Sequence, residues 1–267
     1  MADRPHPAPP LDRLLTVYGR KAVRDVLLDD TLQCHTLHLA SSNRAGGIVG
    51  EIRALAGRRG VPLREHSRET LSRISKNGRQ DQGVALDVLC PAFASVQDYL
   101  AGGPRQPARL LALDGITNPQ NLGMIIRSAA AGGVDGILLP RRGNAALGPL
   151  VIKASAAAVF RAPVLSCGAL DQALQQCRDA GAEICVLAGD APETLFAHRP
   201  GPFCVYVLGN ESEGVSAASA ALAQRRLSIP MANGVESLNV AVAASLVAFL
   251  PRYTGDHASQ GVAPRVV

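Results

Sequence analysis

Two hydrophobic periods alternate along this chain. Short apolar runs of strand length recur as "TLHLA" (36–40), "VPLREH" (61–66), "VALDVLC" (84–90), "RLLALDG" (109–115), "GILLP" (136–140), "EICVLAG" (183–189), "FCVYVLG" (203–209) and "RLSIP" (226–230). Between them, apolar positions return every three or four residues, the period of a helix with one buried face. These stretches are "GRKAVRDVLLD" (19–29), "GIVGEIRALAGRRG" (47–60), a short helix opened by Ser67, residues 119–132, "LGPLVIKASAAA" (147–158) and "LDQALQQCRDAG" (170–181). A long apolar helix from about Ser237 to Arg252 closes the pattern. Gly60 and Ser67 stand where a helix stop and a helix start belong.

Strands alternating with helices predict an α/β protein with a mostly parallel sheet covered on both faces. The run "AGGPRQPA" (101–108), rich in Gly and Pro, reads as a linker between two units. The pattern divides the chain into a disordered tail (1–14), a small α/β domain (15–92), a linker (93–108), a larger α/β domain (109–254) and a flexible tail (255–267). The start "MADRPHPAPP" lacks the apolar segment of a secretion signal. No apolar run reaches the roughly 18 residues of a membrane span. A cytoplasmic protein without a membrane role is expected.

Charge adds a hint of partner. Positions 1–107 hold 15 Lys and Arg against 11 Asp and Glu, so most of the net +5 lies in the first part. Only three basic residues are lysine (Lys21, Lys76, Lys153), and arginine suits phosphate because its planar fork binds bidentately. A solvated basic face explains the same numbers. The six cysteines form no C-x-x-C pair and read as buried hydrophobes. Cys34, His35 and His38 in "CHTLH" lack a fourth ligand at zinc-like spacing, so no metal is expected.

The unusual residues gather at strand ends, where ligands bind in such sheets. After the strand at 109–115 come Asn118, Pro119, Asn121, Gly123 and Arg127; after 203–209 come Gly209, Asn210, Glu211, Ser212, Glu213 and Gly214; after 226–230 come Asn233, Gly234, Ser237, Leu238 and Asn239. Each loop taken singly is explained as a turn or a helix cap. Together they pair flexible glycines with side chains that hydrogen-bond a polar ligand. No G-x-x-x-x-G-K-[ST] loop and no G-x-G-x-x-G after a strand is present, so ordinary nucleotide binding lacks its hardware.

These stretches resemble a known family. "LDGITNPQNLGMIIRSAAAGGVDGILLP" is similar to its first motif (N-x-G-x-x-x-R), "YVLGNESEGVS" to its second and "IPMANGVESLNVAVAAS" to its third, in the family's order, over roughly 109–252. The family is the SpoU or TrmH group of SPOUT RNA 2′-O-ribose methyltransferases. "VYGRKAVRDVL" and "DQGVALDV" resemble the ribosomal-protein-like RNA-binding domain of RlmB-type 23S rRNA enzymes. Two departures stand out: Asp81-Gln82-Gly83 replaces a common His-Gln-Gly, and Ala157 stands where Lys-x-Ser-Ala-Gly-Ala has its glycine.

The resemblance implies a C-terminal trefoil-knotted methyltransferase domain, a smaller N-terminal RNA-binding domain and a homodimer. It implies methyl transfer from S-adenosyl-L-methionine to a ribose 2′-hydroxyl of RNA, a guanosine of 23S rRNA before tRNA. Carried over, Leu208, Gly209, Asn210, Ile229, Pro230, Met231, Ser237 and Leu238 hold the cofactor. Arg127 is the catalytic candidate, positioned by Asn121 and Glu211, with Ser237 and Asn239 completing the site. Guanidinium resists deprotonation, so Arg127 is either an unusual base or a clamp on an RNA phosphate. A non-catalytic RNA-binding protein and a small-molecule enzyme of Rossmann type are the rival classes. The first has no use for the five polar loop residues, and the second lacks its glycine fingerprint.

Overall fold

A computed structural model describes residues 13–44 and 46–253 and arranges them in two sheets. The smaller contains β1 (Leu14–Tyr18), β2 (Gln33–Ala40), β3 (Leu63–His66) and β4 (Val84–Leu89), ordered β1-β4-β2-β3. β4 runs antiparallel to both β1 and β2, and β2 runs parallel to β3. Alternate residues of the strands, including Leu15, Val17, Leu37, Leu39, Leu86 and Val88, are buried on one face. Two helices, α1 (Arg20–Leu28) and α2 (Gly47–Arg58), add Val23, Leu27, Ile52 and Leu55 to the same core. A third, α3 (Arg68–Ser75), begins at Ser67, whose side chain accepts from the Thr70 amide at 3.2 Å, as its position in the sequence predicts. β1 is missing from the sequence reading, which placed residues up to 14 in a tail. The rest of both expected tails lies outside the described residues.

The larger sheet has eight strands, and every pairing in it is parallel. In chain order its elements are β5 (Ala94–Ser95), α4 (Val96–Ala101), β6 (Ala108–Leu113), α5 (Pro119–Gly132), β7 (Gly136–Pro140), α6 (Pro149–Ala154), β8 (Val164–Cys167), α7 (Leu170–Asp179), β9 (Glu183–Leu187), β10 (Glu193–Thr194), β11 (Phe203–Leu208), α8 (Ala217–Ala220), β12 (Arg225–Ser228) and α9 (Val240–Tyr253). Their spatial order is β10-β12-β9-β11-β6-β7-β8-β5. α5 and α9 cover one face of the sheet, and α4 and α7 cover the other. Gly132 lets α5 and α9 touch: a Cβ there would lie 2.6 Å from the Ala248 carbonyl oxygen.

Four expectations need correction. Residues 93–108 are not a bare linker. β5 extends the sheet beside β8, and α4, capped by Ser95 on the Asp98 amide, buries Val96. β6 starts at Ala108, which takes its place in the pairing with β11. α9 starts at Val240, because Asn239 turns its side-chain oxygen to the Ala241 amide at 2.9 Å and so ends the preceding loop. α6 stops at Ala154, and the backbone turns left-handed at Ala156 (φ 48°) and Ala157 (φ 61°). Strands β8 and β10 and helix α8 are too short to show a period in the sequence.

Ala157 therefore occupies a conformation that glycine adopts without strain. The left-handed penalty for an L-residue is about 1–2 kcal/mol, and glycine's extra unfolded-state freedom offsets roughly 0.5–1 kcal/mol of it. Ala157→Gly should raise stability by about 0.5–1 kcal/mol, read as a higher denaturant midpoint at unchanged slope. A lower midpoint would show that the turn is not strained.

Candidate active site

β6 lies inside the sheet, and its neighbours lead away in opposite directions: β7 and β8 to one side, β11, β9 and β12 to the other. The loops after β6 and β11 thus leave adjacent strand ends at the switch point, where open α/β sheets bind ligands. After β6, Asn118 caps α5 by accepting from the Gln120 amide at 2.8 Å, with Pro119 in the first turn. This fixes Asn121 one turn inside the helix, 5% exposed. Gly123 fits against α6, since a Cβ would lie 2.5 Å from that of Ala154 and 2.8 Å from the Val151 carbonyl oxygen. Its small size admits a neighbouring helix.

The loop after β11 folds onto itself. The amides of Asn210 and Gly214 donate to each other's carbonyls at 2.9 and 2.8 Å. The Asn210 side chain accepts from the Ser212 amide and donates to the Gly115 carbonyl, both at 2.8 Å, which ties the second loop to the first. Glu211 is thereby aimed at Asn121, whose side-chain amide donates to Oε1. Asn239 completes the group: its Nδ2 donates to the same Glu211 Oε1 at 3.0 Å and to Asn121 Oδ1 at 3.1 Å. Residues 121, 211 and 239, far apart in sequence, form one network.

Arg127 and Ser237 are not in that network. Arg127 is exposed on α5, and no hydrogen bond or ion pair holds it among the described residues. It lies six residues beyond Asn121, roughly 9 Å along the helix axis. Ser237 lies in the exposed segment before α9 and faces a second feature, a cleft of about 410 Å³ between the ends of β9 and β12. Ile229, Pro230, Met231 and Leu238 line this cleft with it. Leu208, Gly209 and Asn210 do not: Leu208 is buried within β11, and the two that follow build the Glu211 loop. The sequence reading missed Leu187, Ala188 and Gly189, which form the opposite wall at the end of β9. Their signal was a strand ending in glycine, but only the pairing of β9 with β12 brings it here.

Leu187, Leu227, Ile229 and Leu238 offer an apolar slot, and Ser237 and Glu236 place polar groups at its rim. A larger groove of about 830 Å³ runs along α9 past Phe196 and Phe249, and none of the polar network reaches it. A third hollow, about 570 Å³, adjoins the network's loops and carries Arg141, Arg142 and Ser216.

The two departures from the family pattern both lie away from the network. Asp81 is fully buried, accepting from Ser75 Oγ and the Gly83 amide at 2.8 Å each, so it secures the turn into β4. His35 and His38 do not converge on Cys34. His38 pairs with Asp87 and His66, each at 2.9 Å, and His35 contacts Thr36. Burial raises the Asp87 carboxyl, but hydrogen bonds from His38 and Thr16 outweigh it and leave its pKa below the usual carboxylate value.

Comparison with known proteins agrees with the geometry. Residues 108–249 match the SpoU rRNA Methylase family, and residues 16–89 match a family described as RNA 2′-O ribose methyltransferase substrate binding. A protein of Mycolicibacterium gilvum named an uncharacterized tRNA/rRNA methyltransferase is 37% identical over 233 residues, 86% of this chain and 74% of that one. Among solved structures, an AdoMet-bound rRNA methyltransferase from Sinorhizobium meliloti superposes with a TM-score of 0.62 at 25% identity, covering 90% of this chain and 87% of that one. The SpoU methyltransferase AviRb from Streptomyces viridochromogenes, solved with AdoMet, shares the fold with a TM-score of 0.60 at 21% identity, covering 89% of each chain.

Gly209 is the structural key to the Glu211 loop, because a Cβ there would lie 2.1 Å from the Gly214 carbonyl carbon. Gly209→Val should force the loop open at a cost of about 1–3 kcal/mol. Hydrogen exchange at residues 210–215 should accelerate while the sheet's amides stay protected. Unchanged exchange would show that Glu211 is held by other means.

Proposed function

The chain belongs to the SpoU rRNA methylase family, and on that premise we propose that it transfers a methyl group from S-adenosyl-L-methionine to a ribose 2′-hydroxyl of RNA, at a guanosine of 23S rRNA. The observation that carries this reading is the Asn121–Glu211–Asn239 network standing at the same edge of the sheet as the 229–238 cleft. The match of residues 16–89 to a 2′-O ribose substrate-binding family supports ribose as the acceptor. An rRNA target is supported by the Sinorhizobium meliloti protein, named an rRNA methyltransferase. tRNA is the second reading, since the Mycolicibacterium gilvum relative's name includes both RNAs.

In this proposal Ile229, Pro230, Met231 and Leu238 hold the adenosine part of the cofactor, and Ser237 its polar end. Bound S-adenosylmethionine would supply an electrophilic methyl group and leave as the demethylated sulfide, so the acceptor needs only orientation and loss of its hydroxyl proton to solvent water. Glu211 keeps the two asparagine amides in place, and these orient the ribose. Arg127 has an exposed guanidinium whose planar fork suits a bidentate grip on phosphate, so it clamps the phosphate of the target nucleotide. Arg141 and Arg142, in the adjoining hollow, receive the neighbouring phosphates. The trefoil knot of the family belongs to the same proposal, formed by the second and third motif loops.

Dimerisation also belongs to it. Met124 on α5, Val242 on α9, and Met231 and Val235 in the loop before α9 expose apolar surface around the site, which a second copy would cover. Light scattering at micromolar concentration should give twice the 27.8 kDa chain mass. A monomer would mean that these side chains face solvent or another partner.

Single-turnover methylation of 23S rRNA and of tRNA, with the modified nucleotide mapped, tests the reaction and its target. Arg127→Ala should lower the rate by about 10²–10³, the range seen when one group that stabilises a transition state is removed, with cofactor affinity within a few-fold. Arg127→Lys keeps charge without the planar fork and should recover part of that loss. Wild-type rates in Arg127→Ala would make Arg127 structural, and a modified base in place of a ribose would overturn the assigned acceptor.

A further inference from the structure

A second cluster of chemistry-bearing side chains lies at the amino end of the large sheet, opposite the loops described above. Glu183 opens β9 and pairs in register with Cys204 near the start of β11. Cys185, two residues along β9, projects to the same face as Glu183. His198 arrives from the segment between β10 and β11. Cys185 and Cys204 are fully buried and His198 is 4% exposed. Nε2 of His198 lies 3.6 Å from Oε2 of Glu183 and 3.7 Å from Sγ of Cys185, and Sγ of Cys204 lies 3.6 Å from the same Glu183 oxygen.

We propose that Glu183, His198 and Cys204, whose ligand atoms all lie within 4.8 Å of one another, form a structural binding site for one divalent metal ion of the zinc class, with Cys185, 3.7 Å from the His198 nitrogen, drawn in as the fourth ligand when the ion binds. Around such an ion, with bonds of about 2.3 Å to sulfur and about 2.0–2.2 Å to nitrogen and oxygen, neighbouring tetrahedral ligands stand about 3.3–3.8 Å apart. The separations of His198 from Glu183, of Cys204 from Glu183 and of His198 from Cys185 fall within that range, three of the six that a four-ligand site has. The surrounding contacts leave the right atoms free. Glu193 Oε1 lies 3.4 Å from Nδ1 of His198, which presents Nε2 to the cluster. Arg225 donates Nε–H to Glu183 Oε1 at 3.0 Å, which leaves Oε2 for the ion. Partners of this kind orient metal ligands and set the tautomer of a ligating histidine. The Tyr206 ring packs edge-on against the imidazole, 6.1 Å between centroids, and closes one side.

With Cys185 drawn in, four protein ligands fill a tetrahedron, so the loaded site has no open position for a substrate. Its effect is to pin the 195–200 segment to β9 and β11. Binding displaces one proton from each thiol, so two protons leave as the ion enters. The spacing is Glu-x-Cys-x₁₂-His-x₅-Cys, with no C-x-x-C pair, and inspection for zinc motifs passes over it.

The test uses the full chain, purified without chelator and with its thiols reduced. Elemental analysis should find about one zinc per chain, and Co²⁺ added to zinc-free protein should give thiolate-to-cobalt absorption and the visible bands of a tetrahedral site. Glu183→Gln changes a partly exposed ligand and should weaken Co²⁺ binding by about 10–100-fold while the fold is kept. Cys204→Ser should diminish the thiolate band. If the cysteine variant fails to fold, the wild-type spectrum and Glu183→Gln still decide. Negligible zinc without a cobalt–thiolate band, or a Cys185–Cys204 disulfide that forms in preference to metal binding, would overturn the site. None of these readings depends on methyl transfer, so this site and the proposed function fail separately.

Discussion

The parallel pairing of β6 with β11, in register from Ala108 with Phe203 to Leu113 with Leu208, is the constraint on which the rest depends. It places two strands that are about ninety residues apart in the chain side by side at the centre of the sheet. Because both run the same way, both loops leave from the same edge. The Asn210 side chain then bridges to Gly115, and Glu211 meets Asn121. An antiparallel pairing would send the two loops to opposite ends.

The third loop reaches the same place by a different route. β12 lies three strands from β6, yet α9 must return to pack on α5, where Gly132 allows close approach to Ala248. The segment between them therefore crosses from the cleft at β9 and β12 to the Asn121 network, and Asn239 ends it. Asn239 does two jobs with one side chain: its oxygen caps α9 and its amide serves Glu211 and Asn121. Helix packing and site geometry are thus coupled, because a shift of α9 along α5 would move a member of the network.

The two ends of the sheet carry different chemistry. Flexible glycines and amide side chains crowd the carboxyl edge, where the backbone turns and a ligand can approach. At the amino edge, Glu183, Cys185, His198 and Cys204 are packed among buried strands, with Arg225 facing solvent beside them. Rigid surroundings suit a fixed coordination shell, and open loops suit an RNA that must enter and leave.

Sequence periodicity by itself determined the α/β class, most strands and helices, and the polar residues of the three strand-end loops, because these are local properties of neighbouring residues. Asn121, Glu211 and Asn239 were legible as candidates for this reason. Tertiary structure alone decided which candidates meet. Asn121, Glu211 and Asn239 join, Arg127 and Ser237 stand apart, and Leu208 is buried in its strand. Leu187, Ala188 and Gly189 enter the cleft only through the pairing of β9 with β12. The Glu183, Cys185, His198 and Cys204 cluster was likewise invisible, since its cysteines sit in apolar runs that read as core. Strand order and register bring distant residues together, and no short-range period in the chain encodes them.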